Sequence, residues 1–93
     1  MSPQKAFKRS RAAMWLYNGL LYVHGGECSD SIECGDVHKL ENGNWIRVKA
    51  SGLAPGPRSG HTGFSIGNKA YIWGGLAGDW IVHVLDLKKS GKI

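Results

Sequence analysis

The chain has 93 residues, a formal net charge of +5 at pH 7, 14 glycines and four tryptophans. A chain of this length buries only a thin core, because surface grows relative to volume as a domain shrinks. Glycine beside short aromatic and apolar runs favours short strands joined by turns over helices. No apolar run approaches the roughly 20 residues of a membrane-spanning helix, so we expect no membrane contact.

Both ends of the chain are basic. Residues 1–6 and 88–93 are predicted to be solvated basic tails, since terminal residues are usually poorly ordered. The N-terminal segment also resembles a targeting sequence, because the first acidic residue is Glu27. Against that interpretation, Asn18-Gly19 interrupts the apolar run and no cleavage motif of small residues follows cleanly. We expect a cytoplasmic protein and keep the targeting sequence as an alternative.

The first predicted unit covers residues 7–49 and contains two hairpins. Strands are expected over 12–17 and 20–24, joined by Asn18-Gly19. An Asn-Gly pair between apolar runs is a strong hairpin signal, because both residues tolerate positive φ. A loop is expected over 27–35. A second hairpin then follows, with strands over 36–41 and 45–49 around a second Asn-Gly turn.

A Gly/Pro-rich loop over residues 50–57 separates this unit from the next, and it is too rich in turn residues to form a regular strand. The second predicted unit covers residues 58–87. Its strands are expected over 61–66, 69–73 and 81–87. The result is a strand meander that occurs twice.

The two units share a register. Gly25-Gly26 and Gly74-Gly75 are 49 residues apart, and sliding the chain by that distance brings other similar residues together. Beyond the glycine pairs the offset becomes 45, because the first loop is four residues longer. An ordered series of such coincidences indicates an internal repeat. The matched pairs include Arg9 with Arg58, Ser10 with Ser59, Trp15 with Phe64, Tyr22 with Tyr71, and Leu40 with Leu85.

A period near 50 with four strands per unit is typical of kelch propeller blades. The chain resembles the kelch-repeat family in three stretches: the run from Pro57 to Thr62 (PRSGHT), Tyr71-Ile72-Trp73-Gly74-Gly75, and the run from Val82 to Leu87 (VHVLDL). The resemblance implies an all-β fold made of antiparallel meander blades. It also implies a module that binds a partner protein or peptide, as a substrate adaptor or scaffold.

The match to the family is incomplete. Arg11-Ala12 stands where the pattern has Gly-His, and the second repeat lacks its Trp-led fourth strand. About two blades cannot close a ring, which usually needs four to eight. A fragment or truncated gene product is our preferred interpretation. The alternatives are a ring formed by several copies and docking onto blades of another protein.

Candidate partner-binding residues follow from the resemblance. In kelch adaptors the arginine that begins each blade often faces acidic groups of the partner, and a guanidinium suits bidentate carboxylate binding. That position holds Arg9 and Arg58, and Ser59 lies beside the second. Trp80, in the loop over 76–80, is a candidate aromatic anchor. The alternative role for both arginines is structural, through bonds to loop carbonyls.

Other functions receive less support. Cys28 and Cys34 are separated by five residues, a spacing that matches no standard zinc motif, so no metal or cofactor is expected. The sequence leaves open whether the two cysteines pair, and a loop disulfide is an alternative for a protein that meets oxidising conditions. Nucleic-acid binding through the basic N-terminal segment is an alternative function. An enzyme on a kelch-type propeller is a second alternative, although no acid–base pair stands out and we expect no catalysis.

Overall fold

The computed structural model describes residues 9–29, 32–51, 55–76 and 81–92, and the regular secondary structure of these residues consists of strands. No helix among them is long and apolar enough to cross a membrane. The predicted all-β class is confirmed. The described ranges contain nine strands: β1 (Ala13–Tyr17), β2 (Leu20–His24), β3 (Glu27–Ser29), β4 (Ile32–Glu33), β5 (Val37–Glu41), β6 (Asn44–Ser51), β7 (Thr62–Ile66), β8 (Lys69–Trp73) and β9 (His83–Lys92).

Seven strands form one antiparallel sheet in the order β1-β2-β5-β6-β9-β8-β7. Within it, β1, β2, β5 and β6 form a first meander, and β7, β8 and β9 form a second. Both Asn-Gly turns of the first meander have positive φ, 56° and 76° at Asn18 and Gly19, and 52° and 77° at Asn42 and Gly43. This backbone twist matches that of the flanking strands. The arrangement is consistent with a partial kelch-type blade fold.

The segment predicted as a loop over 27–35 contains a small hairpin instead. Strands β3 and β4 pair with each other, and a disulfide joins Cys28 to Cys34 across them. Alternating small and polar residues gave no strand signal here, and the order comes from the covalent link and from tertiary contacts. The backbone of Cys34 donates to Gly26 O at 2.9 Å, which fixes the hairpin to the end of β2.

Strand β9 continues to Lys92, although the sequence pattern ends it at Leu87. Its first half pairs with β8, and its second half reaches β6, with Val48 opposite Lys92 and Lys49 opposite Gly91. An edge strand presents unpaired backbone groups, so β6 offers a template for this extension. The pairing joins the two meanders into one sheet.

The core lies between the two meanders. Odd-numbered residues of β1 and even-numbered residues of β2 point towards the second meander, and β1 packs against β7. Trp15 and Tyr22 are 4% exposed, and Ala70 and Ile72 are fully buried opposite them. Burying two aromatic side chains and their aliphatic partners stabilises the fold by roughly 2 kcal/mol per large side chain. The core also contains Val37, Val48, Leu85 and Leu87.

Candidate interaction site at one end of the sheet

The glycine pairs place the candidate residues at one end of both meanders. Gly26 and Gly75 have positive φ, 92° and 89°. A Cβ on Gly26 would lie 2.9 Å from Ser10 O, and a Cβ on Gly75 would lie 2.6 Å from Ser59 O. Only glycine permits this approach without displacing the backbone. Each pair therefore brings the segment before β1 or β7 against the end of β2 or β8, at equivalent positions of the repeat.

Arg9 is held by a carboxylate from the same repeat. Its two terminal nitrogens donate to the two oxygens of Asp36, both at 2.8 Å, and one also donates to Gly25 O at 3.0 Å. Burial opposes ionisation of Asp36, but the hydrogen bonds and the charge of Arg9 outweigh it and hold the pKa of this carboxyl below its usual value. His38 Nδ1 lies 3.0 Å from the same carboxylate. Arg9 and Asp36 thus form a partly buried ion pair, and little of the Arg9 side chain is exposed.

Arg58, the equivalent arginine of the second repeat, is held differently. It is 3% exposed, and its guanidinium donates to Gly56 O at 3.2 Å and to Gly74 O at 3.5 Å. The residue that corresponds to Asp36 in this repeat is Ile81, which has no carboxylate. These contacts correspond to the structural alternative stated for this arginine, in which it bonds to loop carbonyls.

Of the three arginines at this end of the sheet, Arg11 is the one with an exposed guanidinium. It occupies the repeat position of Gly60 and adopts the same backbone region, with φ of 57° against 67°. Its Nη2 donates to Ser59 Oγ at 2.9 Å, and Ser59 Oγ donates to Glu33 at 3.3 Å. The backbone of Gly60 donates to Arg11 O at 2.7 Å, so the two equivalent turns contact each other directly.

Two histidines, His24 and His61, contact each other near this end of the sheet. His24 Nε2 lies 3.2 Å from Pro55 O, and His24 Nδ1 lies 3.0 Å from His61 Nε2, which is also 3.1 Å from His24 O. Since a carbonyl only accepts, His24 carries its proton on Nε2 and accepts at Nδ1 from His61. The His24 ring is then neutral, and His61 Nδ1 has no hydrogen-bond partner among the residues that the structure describes.

The histidine pair resists protonation. Burial lowers the pKa of His24 to about 4, because the imidazole is 0% exposed and water cannot solvate its charge; the neighbouring His61 and Arg58 add to this effect. Burial also lowers the pKa of His61. A second proton on His24 Nδ1 would face the N–H of His61. The pair therefore packs the segment before β7 against β2 as neutral rings.

The predicted site residues thus converge in part. The structure brings Arg9, Arg58 and Ser59 to the same end of the sheet, and Ser59 is fully buried. Trp80 lies outside the described residues. The partner-binding role of these four residues stays a prediction. Sequence reasoning treated Arg11 as a departure from the family pattern, and the signal for its position was its alignment with Gly60.

The chain is similar to several curated proteins over this repeat region. It is 40% identical over 63 residues to human host cell factor 2, covering 68% of the chain and 7% of that protein. It is 39% identical over 72 residues to host cell factor of Drosophila melanogaster, covering 75% of the chain and 4% of that protein. The host cell factors are kelch-repeat proteins. The similarity is consistent with a kelch repeat.

A further relative is the tRNA wybutosine-synthesizing protein 2/3/4 of Arabidopsis thaliana, 37% identical over 73 residues, which cover 73% of the chain and 7% of that protein. The chain therefore spans less than a tenth of these relatives. No family model matches the chain. The kelch similarity supports a protein-interaction module in general terms, without indicating a partner.

Proposed function

We propose that the chain acts as a kelch-type interaction module that holds an acidic segment of a partner protein at the end where the arginines lie. The observation that carries this proposal is the cluster of three arginines, Arg9, Arg11 and Arg58, brought together by the two equivalent glycine corners. Binding loops on a rigid sheet usually carry specificity, and the β3–β4 hairpin of the first repeat lies at this end.

Within this cluster the three arginines have different tasks. Arg58 supports the corner, because its guanidinium is buried against backbone carbonyls. Arg9 keeps a small exposed surface while Asp36 fixes its orientation. Arg11 is exposed and is oriented by Ser59, so it is the guanidinium that a partner carboxylate reaches first. A bidentate pair between Arg11 and a carboxylate would add both charge and directional hydrogen bonds.

The test uses fluorescent peptides of equal length, one rich in glutamate and aspartate and one rich in lysine, with binding followed by anisotropy. Replacement Arg11→Gln is expected to weaken binding of the acidic peptide by about tenfold, which corresponds to one charge-assisted hydrogen bond. Arg47→Gln is the matched control, because Arg47 is also exposed but lies on β6. Equal losses in the two variants would mean that net charge alone attracts the peptide.

A salt titration in the same anisotropy assay, with a single-stranded oligonucleotide beside the acidic peptide, separates this function from nucleic-acid binding. Phosphate contacts release counterions, so the affinity for a single-stranded oligonucleotide would fall steeply with salt, while a peptide held by one or two arginines would show a shallower slope. The aromatic rings at the start of the chain do not favour the nucleic-acid alternative. Trp15 is buried against the second meander and cannot stack on a base.

We further propose that the chain does not itself catalyse a reaction and works in the cytoplasm as an adaptor or scaffold. Among the described residues, no three His, Cys, Asp or Glu side chains are grouped as metal ligands. The Cys28–Cys34 disulfide argues against the cytoplasmic part of this proposal, because such bonds persist mainly in oxidising compartments. Thiol alkylation before and after reduction, in extracts prepared without reductant, decides whether Cys28 and Cys34 are paired in cells.

A further inference from the structure

The two meanders pack through unlike faces. The first meander contributes the stacked rings of Trp15 and Tyr22, whose centroids are 6.0 Å apart. The second contributes a flat aliphatic surface over Gly63, Ala70 and Ile72. A Cβ on Gly63 would lie 3.5 Å from Trp15 Cε3, so the indole sits directly on this glycine. The interface therefore places two stacked rings, beside Val37 and Val48, against small and aliphatic side chains of the second meander.

The repeat places both halves of this interface on the chain a second time. The equivalents of Trp15 and Tyr22 are Phe64 and Tyr71, and they stack in the same way, with centroids 5.4 Å apart. They point away from the first meander, and Phe64 is 40% exposed. We call this surface the open aromatic face. It consists of Phe64, Ile66, Tyr71, Trp73 and Val84.

The equivalents of Gly63, Ala70 and Ile72 are Met14, Leu21 and Val23. They point away from the second meander, and Met14 is 57% exposed. We call this surface the open aliphatic face. It consists of Met14, Leu16, Leu21, Val23 and Leu40, and it contains a groove of about 290 Å³ that is also lined by Trp45 and, at one end, by Arg9 and Arg11.

We propose that a second copy of this chain docks head-to-tail, with its open aromatic face on the open aliphatic face of the first. In the internal interface, the two stacked rings of the first meander cover the small and aliphatic surface of the second meander. The open aromatic face carries a pair of rings at the equivalent positions. The contact is heterologous, so each copy keeps one unused face, and the assembly grows until the rotation between copies closes a ring.

The exposed apolar side chains support this assignment. Met14, Leu16, Phe64, Ile66 and Val84 are each at least 40% exposed. Apolar side chains that cluster on an exposed face usually mark an interaction surface. Repeats of this kind draw their stability from the interfaces between neighbours, and the two outer faces carry side chains equivalent to both halves of the internal interface. The inference does not depend on the proposed binding of acidic peptides.

The experiment measures self-association of the purified chain by light scattering and sedimentation velocity over a range of concentrations. Met14→Glu blocks the aliphatic face and Phe64→Glu blocks the aromatic face, each by placing a charge in the interface. Either variant is expected to weaken self-association by about a hundredfold or more, since an unpaired charge is costly to bury. Ile32→Glu is the matched control, because Ile32 is 56% exposed in the β3–β4 hairpin, outside both faces.

Mixing the two blocked variants gives the decisive result. Each retains one working face, so the mixture should form a one-to-one dimer and nothing larger, while each variant alone stays monomeric. Circular dichroism of each variant verifies that the sheet remains folded. The proposal is wrong if the unaltered chain is a folded monomer at all concentrations, or if either blocked variant dimerises alone. Acidic-peptide binding by Phe64→Glu, whose substitution lies on the opposite meander from Arg11, shows whether the proposed function fails separately.

Discussion

Acid should destabilise this protein through one buried imidazole. The pKa of His24 is about 4 in the folded chain, against 6.5 for an unperturbed histidine. The unfolded chain therefore takes up the proton first as the pH falls. Stability is fully present above about pH 6.5 and is lost progressively down to about pH 4. The full difference corresponds to about 3 kcal/mol, and about 2.5 kcal/mol of it should be lost by about pH 4.5.

The assay is urea unfolding, followed by tryptophan fluorescence, at a series of pH values between about 7.5 and 4.5. His24→Gln is the control variant, because its amide nitrogen can still donate to Pro55 O but does not titrate in this range. The variant is expected to be less stable than the unaltered chain at neutral pH and to change much less on acidification. Any loss that remains reports His61 and His38, whose pKa values are also lowered by burial. Parallel pH profiles for the two proteins would refute the assignment to His24.

Two further predictions concern the core and the disulfide. Trp15→Phe should lower the free energy of urea unfolding by less than about 1 kcal/mol, because the buried indole N–H has no hydrogen-bond partner among the described residues and Phe64 fills the equivalent position. Trp15→Ala should lower it by about 3–5 kcal/mol. Similar losses in both would contradict this. Reduction of the Cys28–Cys34 disulfide, which links residues six apart, should lower the free energy of unfolding by about 2 kcal/mol. A Cys28→Ser/Cys34→Ser double variant should not respond to reductant, and an equal response would assign the effect elsewhere.

The main strands could be predicted from the sequence because local signals and the repeat agree. The Asn-Gly turns fix the hairpins, and β2 and β8 begin and end at the predicted residues. The small hairpin β3–β4 and the extension of β9 to Lys92 could not be predicted. Neither has a local pattern: one is stabilised by a covalent bond, and the other pairs with a strand far away along the chain.

The convergence of the candidate residues could be predicted, but their contacts could not. The glycine pairs and the arginines come to one end of the sheet, since the repeat register fixes where each strand starts. The partners of each arginine depend on side chains that the register does not fix. Arg9 finds Asp36 within its own repeat, and Arg58 finds backbone carbonyls. The buried histidine pair was equally invisible, because His24 and His61 come from different repeats and different repeat positions.

The differences between the two copies are coupled, because contacts join the two turns at which the copies differ. The family pattern has Gly-His at the turn before the first strand, and the second copy keeps it as Gly60-His61. The first copy has Arg11-Ala12, and Arg11 nevertheless adopts a positive φ of 57°, which costs a non-glycine residue roughly 1 kcal/mol. In this conformation the backbone carbonyl of Arg11 accepts a hydrogen bond from Gly60 N–H, and its guanidinium donates a hydrogen bond to Ser59. The strain is thus offset by contacts between the repeats, and it keeps an exposed cation at the end of the sheet where a partner is proposed to bind.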